Sequence, residues 1–357
     1  NTFVKDMWKN CYSGISRANT AIVKIPEIKM NESKKNRLIA EARTLRALYY
    51  FNLVRFFGDV PLILDLKTVE DSKGPRDSKE LIYDQIIEDL TFAEEHLPLR
   101  SEYSASDEGR INKGAAKILF GKVYLTKGDF QKAKDKLAEV VEHESEYGFG
   151  LHKDYHANWL RDTEAGIEAV LYIEYKEPPF QHNGEMALAG PKYSIPGSLG
   201  ISALNEADIP TQELYDQFDN RDLRKKTNFK TEFAHLKTGE ILKSSIPLSG
   251  KFWVEGLETG DRCDVNMHII RYADAILMYA EALNEVGEST KALAMLNRIR
   301  ERAFGDDSGN FKPMSKDEFR TAILNERRLE FPHEGHRWFD LVRTGTFIQR
   351  MKEHSAY

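Results

Sequence analysis

Six aromatic residues carry the chemistry most open to use in this chain: Trp8, Tyr155, Trp159, Phe180, Tyr193 and Trp253. An aromatic face packs against the apolar face of a pyranose, while Asn, Asp, Arg and His side chains hydrogen-bond its hydroxyls. Trp253 stands out as a stacking platform, because Lys251, Glu255 and Gly256 around it offer little apolar surface for burial. Each ring has core packing as its plain alternative.

Groups suited to covalent or metal chemistry are sparse. His333 and His336 flank Glu334 as H-x-x-H, whereas helical zinc pairs take the H-E-x-x-H spacing. His152 and His156, with Asp154 between them, would suit zinc only on a helix, and Gly148 and Gly150 beside them favour a surface pair. The run DDSGN from Asp306 to Asn310 has the first oxygens of a calcium loop but neither its glycine nor its bidentate Glu. No G-x-S-x-G elbow or P-loop occurs. No catalytic residue, metal or cofactor is therefore expected. A carboxylate pair for glycoside hydrolysis stays open, because its separation is a spatial quantity.

The elements that must position these residues announce themselves by repetition. Gly121, Tyr124, Gly128, Ala133, Leu137 and Val140 follow the tetratricopeptide template of a small contact residue, a turn glycine and an apolar second helix. Ala280, Leu283, Gly287, Ala292, Leu296 and Ile299 repeat every gap. Asp129 is placed to cap the helix after Gly128. Ile86, Leu90, Ala93 and Pro98 read as the second helix of a further pair whose first helix is 40–57, with Asp77 and Glu80 as its capping box. Gly14, Ala18, Ala21 and Pro26 keep the same spacing and suggest a helix at the start.

The fold expected is all-α dominated: a tetratricopeptide-like scaffold over residues 1–145 and 265–345, with a loop-rich insertion containing short strands over 146–264. Within the insertion Ala169 to Glu177 favours a strand, and the Gly, Pro and Ser residues after it forbid long regular elements. Long ordered loops on rigid scaffolds are common binding sites, so the ligand site is expected there.

The run LNERRLEFPHEGHRWFDLVRTG, Leu324 to Gly345, has opposite charges three apart at Arg327 and Glu330, Glu334 and Arg337, and Arg337 and Asp340. That spacing predicts ion pairs between neighbouring turns. Phe331, Trp338 and Leu341 supply apolar anchors, and Pro332 and Gly335 divide a helix ending near Phe331 from one starting near His336. This run resembles the C-terminal hallmark of the SusD/RagB family, and other pieces fall in that family's order. They are Tyr12 to Asn19, Glu41 to Leu53, the GDVPL turn at Gly58 to Leu62, Ile209 to Thr227, and Ile269 to Ala303.

The resemblance implies a nutrient-binding surface lipoprotein of the outer membrane in Bacteroidota. Such a protein captures oligosaccharide and passes it to a SusC-like TonB-dependent transporter. It also implies a buried position for Trp159, a contribution of Trp8 to the site near the N-terminal helices, and a structural role for Glu334. A signal with its lipobox cysteine and a C-terminal closing segment are expected to lie outside this sequence, with the membrane reached only through that lipid anchor. A peptide-binding repeat adaptor and, less favoured, a glycan-degrading enzyme are the alternatives.

Composition agrees. The chain has 357 residues, 41% of them hydrophobic, ample for a core. A net charge of -6 with both signs interspersed excludes the basic face of a nucleic-acid binder. The two cysteines, Cys11 and Cys263, are expected as unpaired buried thiols, with a disulfide as the alternative.

Overall fold

The structure is a computed structural model that describes residues 2–65, 74–176, 183–195 and 198–354, with only the backbone of Asp261. The chain forms two compact units, Asn1–Gly148 and Phe149–Tyr357.

The first unit is helical: α1 (Thr2–Lys24), α2 (Glu32–Phe57), α3 (Lys79–His96), α4 (Lys113–Lys127), α5 (Phe130–Val141) and the short α6 (Glu144–Tyr147). Small residues set the helix contacts, as their spacing predicts. A Cβ on Gly14 of α1 would stand 2.3 Å from the Tyr49 ring of α2, and one on Gly121 of α4 would stand 2.5 Å from Leu137 Cγ of α5. α4 ends in Gly128 at φ +79°, which favours glycine, and Asp129 caps α5 by accepting from the Lys132 N–H at 3.3 Å.

The helix at 40–57 pairs with α3 as read, but the cap differs. Ser78 caps α3, whereas Asp77 accepts from the Leu62 N–H at 2.8 Å and so ties the GDVPL turn to the start of that helix. A bidentate pair locks α2 to α3 inside the unit. Arg46 donates to both oxygens of the fully buried Asp89 at 2.8 and 2.7 Å, and to Asn19 Oδ1 of α1 at 2.9 Å.

The second unit holds β1 (Ala169–Ile173), α7 (Glu185–Ala189), α8 (Gln212–Asp216), α9 (Lys225–Asn228), β2 (Phe229–Ala234), β3 (Ile241–Ser249) and β4 (Met267–Arg271). These are followed by α10 (Tyr272–Glu285), α11 (Ser289–Phe304), α12 (Lys316–Glu330), α13 (Arg337–Arg343) and α14 (Phe347–His354). The strand foreseen from Ala169 ends at Ile173 and pairs antiparallel with β4, Ala169 facing Arg271. β2 and β3 form a separate antiparallel hairpin.

α10 and α11 reproduce the α4–α5 register, with Gly287 at φ +92° in the turn and Ala280, Leu296 and Ile299 fully buried. The break at Pro332 and Gly335 separates α12 from α13. Phe331 and Leu341 are buried, but Trp338 is 47% exposed and so does not anchor the helix in the core.

Cys11 and Cys263 are both buried and free. Among the described residues no helix is long and apolar enough to cross a membrane.

Candidate functional site

Glu330, Arg327 and Asp340 of the C-terminal run are buried and pair mostly across the second unit, with Asp340 also meeting Arg343 on its own helix. Glu330 receives Arg224 Nη1 at 2.9 Å, Arg271 Nη1 at 3.1 Å and Arg302 Nη2. Glu334 receives Arg271 Nε at 2.7 Å and Lys251 Nζ at 2.6 Å. Glu168, just before β1, receives Arg271 and Arg302. In a second cluster Arg327 bridges Asp274 and Asp340, each at 2.7 Å, and Arg343 joins Asp340 to Glu281.

The expected i,i+3 pairs Arg327–Glu330, Glu334–Arg337 and Arg337–Asp340 are thus replaced. Arg337 donates to the Leu324 carbonyl at 3.2 Å. The reason is burial: an ion pair on a solvated helix face contributes little, whereas a buried charge must find full partners wherever the fold brings them.

These partners sit beside short elements of the second unit, Glu168 before β1, Arg224 before α9, Lys251 after β3 and Arg271 at the end of β4. The network therefore fastens the irregular segments to α11 and α12. Burial by itself raises the Glu330 and Asp340 carboxyls, but the guanidinium groups outweigh it: Arg302, Arg271 and Arg224 around Glu330, and Arg327 and Arg343 around Asp340. Both carboxyls are held at about 2. Burial pushes the Glu164 carboxyl the other way, to about 7.

Between about pH 2 and the ordinary values, ~4.3 for Glu330 and ~3.9 for Asp340, the unfolded chain binds the extra protons of both, so stability present above those values is lost as pH falls. From about pH 7 to ~4.3 the folded chain binds the extra proton of Glu164, which favours the folded state as pH falls. Thermal melts are expected to show a level or slightly rising melting temperature down to about pH 5 and a steep fall below ~4.

The aromatic candidates divide by placement. Tyr155 and Trp159 are core residues, 3% and 4% exposed. The Tyr155 hydroxyl donates to the Glu330 carbonyl at 2.7 Å, and Lys251 Nζ lies 4.6 Å from the Trp159 ring centroid. Their faces are spent on buried cations, so neither offers a surface to a ligand.

Trp253 is half-buried, edge-on to Phe233 at 4.7 Å, and packs beside Ile195 and Leu199. Its polar neighbours suggest a free ring, but it packs against the cluster of Ile195, Leu199, Phe233 and Leu248, which sequence proximity does not reveal. Its Nε1 is buried and has no hydrogen-bond partner among the described residues.

Tyr193 is 76% exposed, yet its backbone is hydrogen-bonded. The N–H groups of Lys192, Tyr193 and Ser194 all donate to Glu206 Oε2, at 2.8 Å from Lys192 and 3.1 Å from Ser194. The Ser194 carbonyl also accepts from Ser245 of β3 at 2.9 Å. Lys192 Nζ lies 5.2 Å from the centroid of the phenol ring. Glu206 was not singled out in the sequence, since nothing local marks an acid that caps a turn a dozen residues upstream.

Trp8 belongs to the first unit, edge-on to Phe57 at 5.0 Å with Arg76 5.6 Å from its ring centroid. Phe180 lies outside the described residues. His333 sits at φ +62° between α12 and α13, not on a helix, with Nδ1 2.8 Å from Asp208 Oδ2. Tyr155 to Trp159 form a 3-10 turn, so His152 and His156 share no helix. No metal-holding group of three or more His, Cys, Asp or Glu occurs among the described residues.

The family models that match are that of the SusD family, over residues 245–357, and one described as starch-binding associating with outer membrane, over residues 1–125. SusD-like protein P2 of Formosa agariphila is 31% identical over 96% of this chain and 72% of its own length. The chain belongs to the SusD-like family.

Solved structures of SusD-like proteins agree in fold. One, of a SusD superfamily protein from Parabacteroides distasonis, superposes with a TM-score of 0.83 at 28% identity, covering 96% of this chain and 75% of its own. A laminarin binding SusD-like protein superposes with a TM-score of 0.80 at 30% identity, covering 97% and 79%. The C-terminal SusD match includes Lys251, Arg271, Arg302, Glu330 and Glu334, so most of the buried network lies inside it.

Proposed function

We propose that this SusD-like protein captures a glycan at the bacterial surface, without turning it over, and passes it to a SusC-like TonB-dependent transporter. In this reading it is a lipoprotein of the outer membrane, held by a lipid anchor outside the present sequence. The similarity to a laminarin binding protein at 30% identity supports an oligosaccharide ligand, and the family description as outer-membrane associated supports the location.

The observation that carries the reading is Tyr193, an aromatic ring 76% exposed on a loop whose N–H groups converge on Glu206. A large exposed ring on a mobile tip would lose entropy on binding, whereas a fixed one is ready to stack. In this proposal Tyr193 is the platform, Trp253 supports its loop from beneath, and Glu206 holds the ring in position. Binding without turnover is supported by the commitment of Glu168, Glu330 and Glu334 to guanidinium partners, which leaves none of them free for acid or base work.

Isothermal titration with laminari-oligosaccharides, and a glycan array if these do not bind, tests it. Tyr193→Ala is expected to weaken affinity by on the order of 10-fold or more and to leave the melting temperature nearly unchanged, because little of the ring is buried. Unchanged affinity would remove Tyr193 from the site. Chain cleavage of the bound oligosaccharide would remove the non-catalytic reading.

A further inference from the structure

A second feature of the insertion is an open cavity of about 470 Å³, between α8, the turn before α9, and the start of β2. Its volume lies within the ~300–1,000 Å³ of small-ligand sites. Tyr215, Leu223 and Phe229 supply apolar wall, and Lys225, Lys226 and Lys230 supply cations. None belongs to the Tyr193 loop.

The wall also holds two carboxylates, Asp222 and Glu232, and both are already committed. Asp222 is engaged at both oxygens by the fully buried Arg224, at 3.0 and 2.7 Å. Glu232 pairs with Lys243 across the hairpin at 3.2 Å.

The lysines are committed less fully. Lys225 is held in place by the Phe218 carbonyl at 3.2 Å and Asn220 Oδ1 at 3.1 Å, 4.5 Å from the Tyr215 ring centroid. An ammonium has three protons to donate, so one is left for a ligand. Lys230 pairs with the exposed Glu255 at 2.8 Å and lies 5.4 Å from the Phe233 ring centroid. Lys226 is exposed and makes no ion pair among the described residues. The cavity is therefore an apolar wall under a net positive field.

We infer that this cavity is a subsite for an acidic pyranose, one bearing a carboxylate or a sulfate ester. The anionic group meets Lys225 and Lys226, and the ring's apolar face meets Leu223. The inference rests on the glycan-capture reading and adds a charge class to it.

Titration of the intact chain with an oligouronate, a sulfated galactan oligosaccharide and a neutral laminari-oligosaccharide separates the cases. The first two arms distinguish carboxylate from sulfate. At least one acidic probe is expected to bind, more weakly as salt is raised. Lys226→Gln, which removes no structural contact, is expected to weaken that probe on the order of 10-fold and leave the neutral one unaffected. Lys226→Glu is expected to weaken it further.

Acidic binding that is indifferent to both substitutions, or neutral binding alone, overturns the subsite and leaves glycan capture standing. Failure of every glycan, charged or neutral, overturns both.

Discussion

Glu330→Gln is expected to lower stability by about 3–5 kcal/mol, the largest effect of any single substitution proposed for this chain. The amide keeps the shape of the carboxylate and removes its charge, which leaves Arg224, Arg271 and Arg302 sharing one buried partner fewer. Each of those guanidiniums is at most 9% exposed, so water cannot take the place of the lost carboxylate. The size of the loss comes from the uncompensated cations, not from the intrinsic strength of one ion pair. A calorimetric melt should show a fall on the order of 5–15 °C. If the melting temperature holds, the network is not what fastens the insertion to α11 and α12. A Lys226→Gln control on the surface should stay close to wild type.

Gly121→Leu is the second large effect expected, a loss of about 2–3 kcal/mol through overpacking. The reason is geometric: a Cβ at this position already stands 2.5 Å from Leu137 Cγ, so a whole isobutyl group forces α4 and α5 apart. Gly121→Ala is the informative companion. Alanine gains about 1 kcal/mol of helix propensity over glycine, and that gain opposes the shift Leu137 must make, so the net change should stay within about 1 kcal/mol. The equivalent position in the other helix pair is Ala280, fully buried, where a Cβ is accommodated. Denaturant melts of the two variants would read the difference. A Leu variant as stable as wild type would contradict the helix contact.

The helix pairs were legible because their signals are local. Gly128, Asp129 and the 121–140 spacing specify a turn, a cap and an apolar face within one stretch of chain, and each was found where it was read. The same holds for the division between α12 and α13 at Pro332 and Gly335. The cap of α3 was misread by one residue, since Asp77 and Ser78 are both good caps and only the GDVPL turn, folded back on Asp77, decides between them. β3 was readable in principle, as its Leu242, Ser244 and Ile246 are less exposed than Ile241, Lys243 and Ser245, but a hairpin with two mixed faces gives a weak alternation.

The candidate site was legible only as a region. Tyr155, Trp159, Tyr193 and Trp253 are all aromatic residues in the insertion, and no local rule separates those that became core from the one left outside. What separates them is the company that folding brings: Lys251 and Arg271 beneath Trp159, Phe233 beside Trp253, and Glu206 behind Tyr193. Glu330 shows the same limit in charge. Its spacing from Arg327 names a neighbour on its own helix, but its partner Arg271 is 59 residues away.

The sequence by itself therefore determined the repeat registers, the helix breaks and the family, because hydrophobic period, capping and motif order act over a few turns of chain. Only the tertiary structure decided which charges meet and which ring faces solvent. A buried charge or ring takes its partners from whatever elements enclose it, and those elements are set by packing across the whole unit.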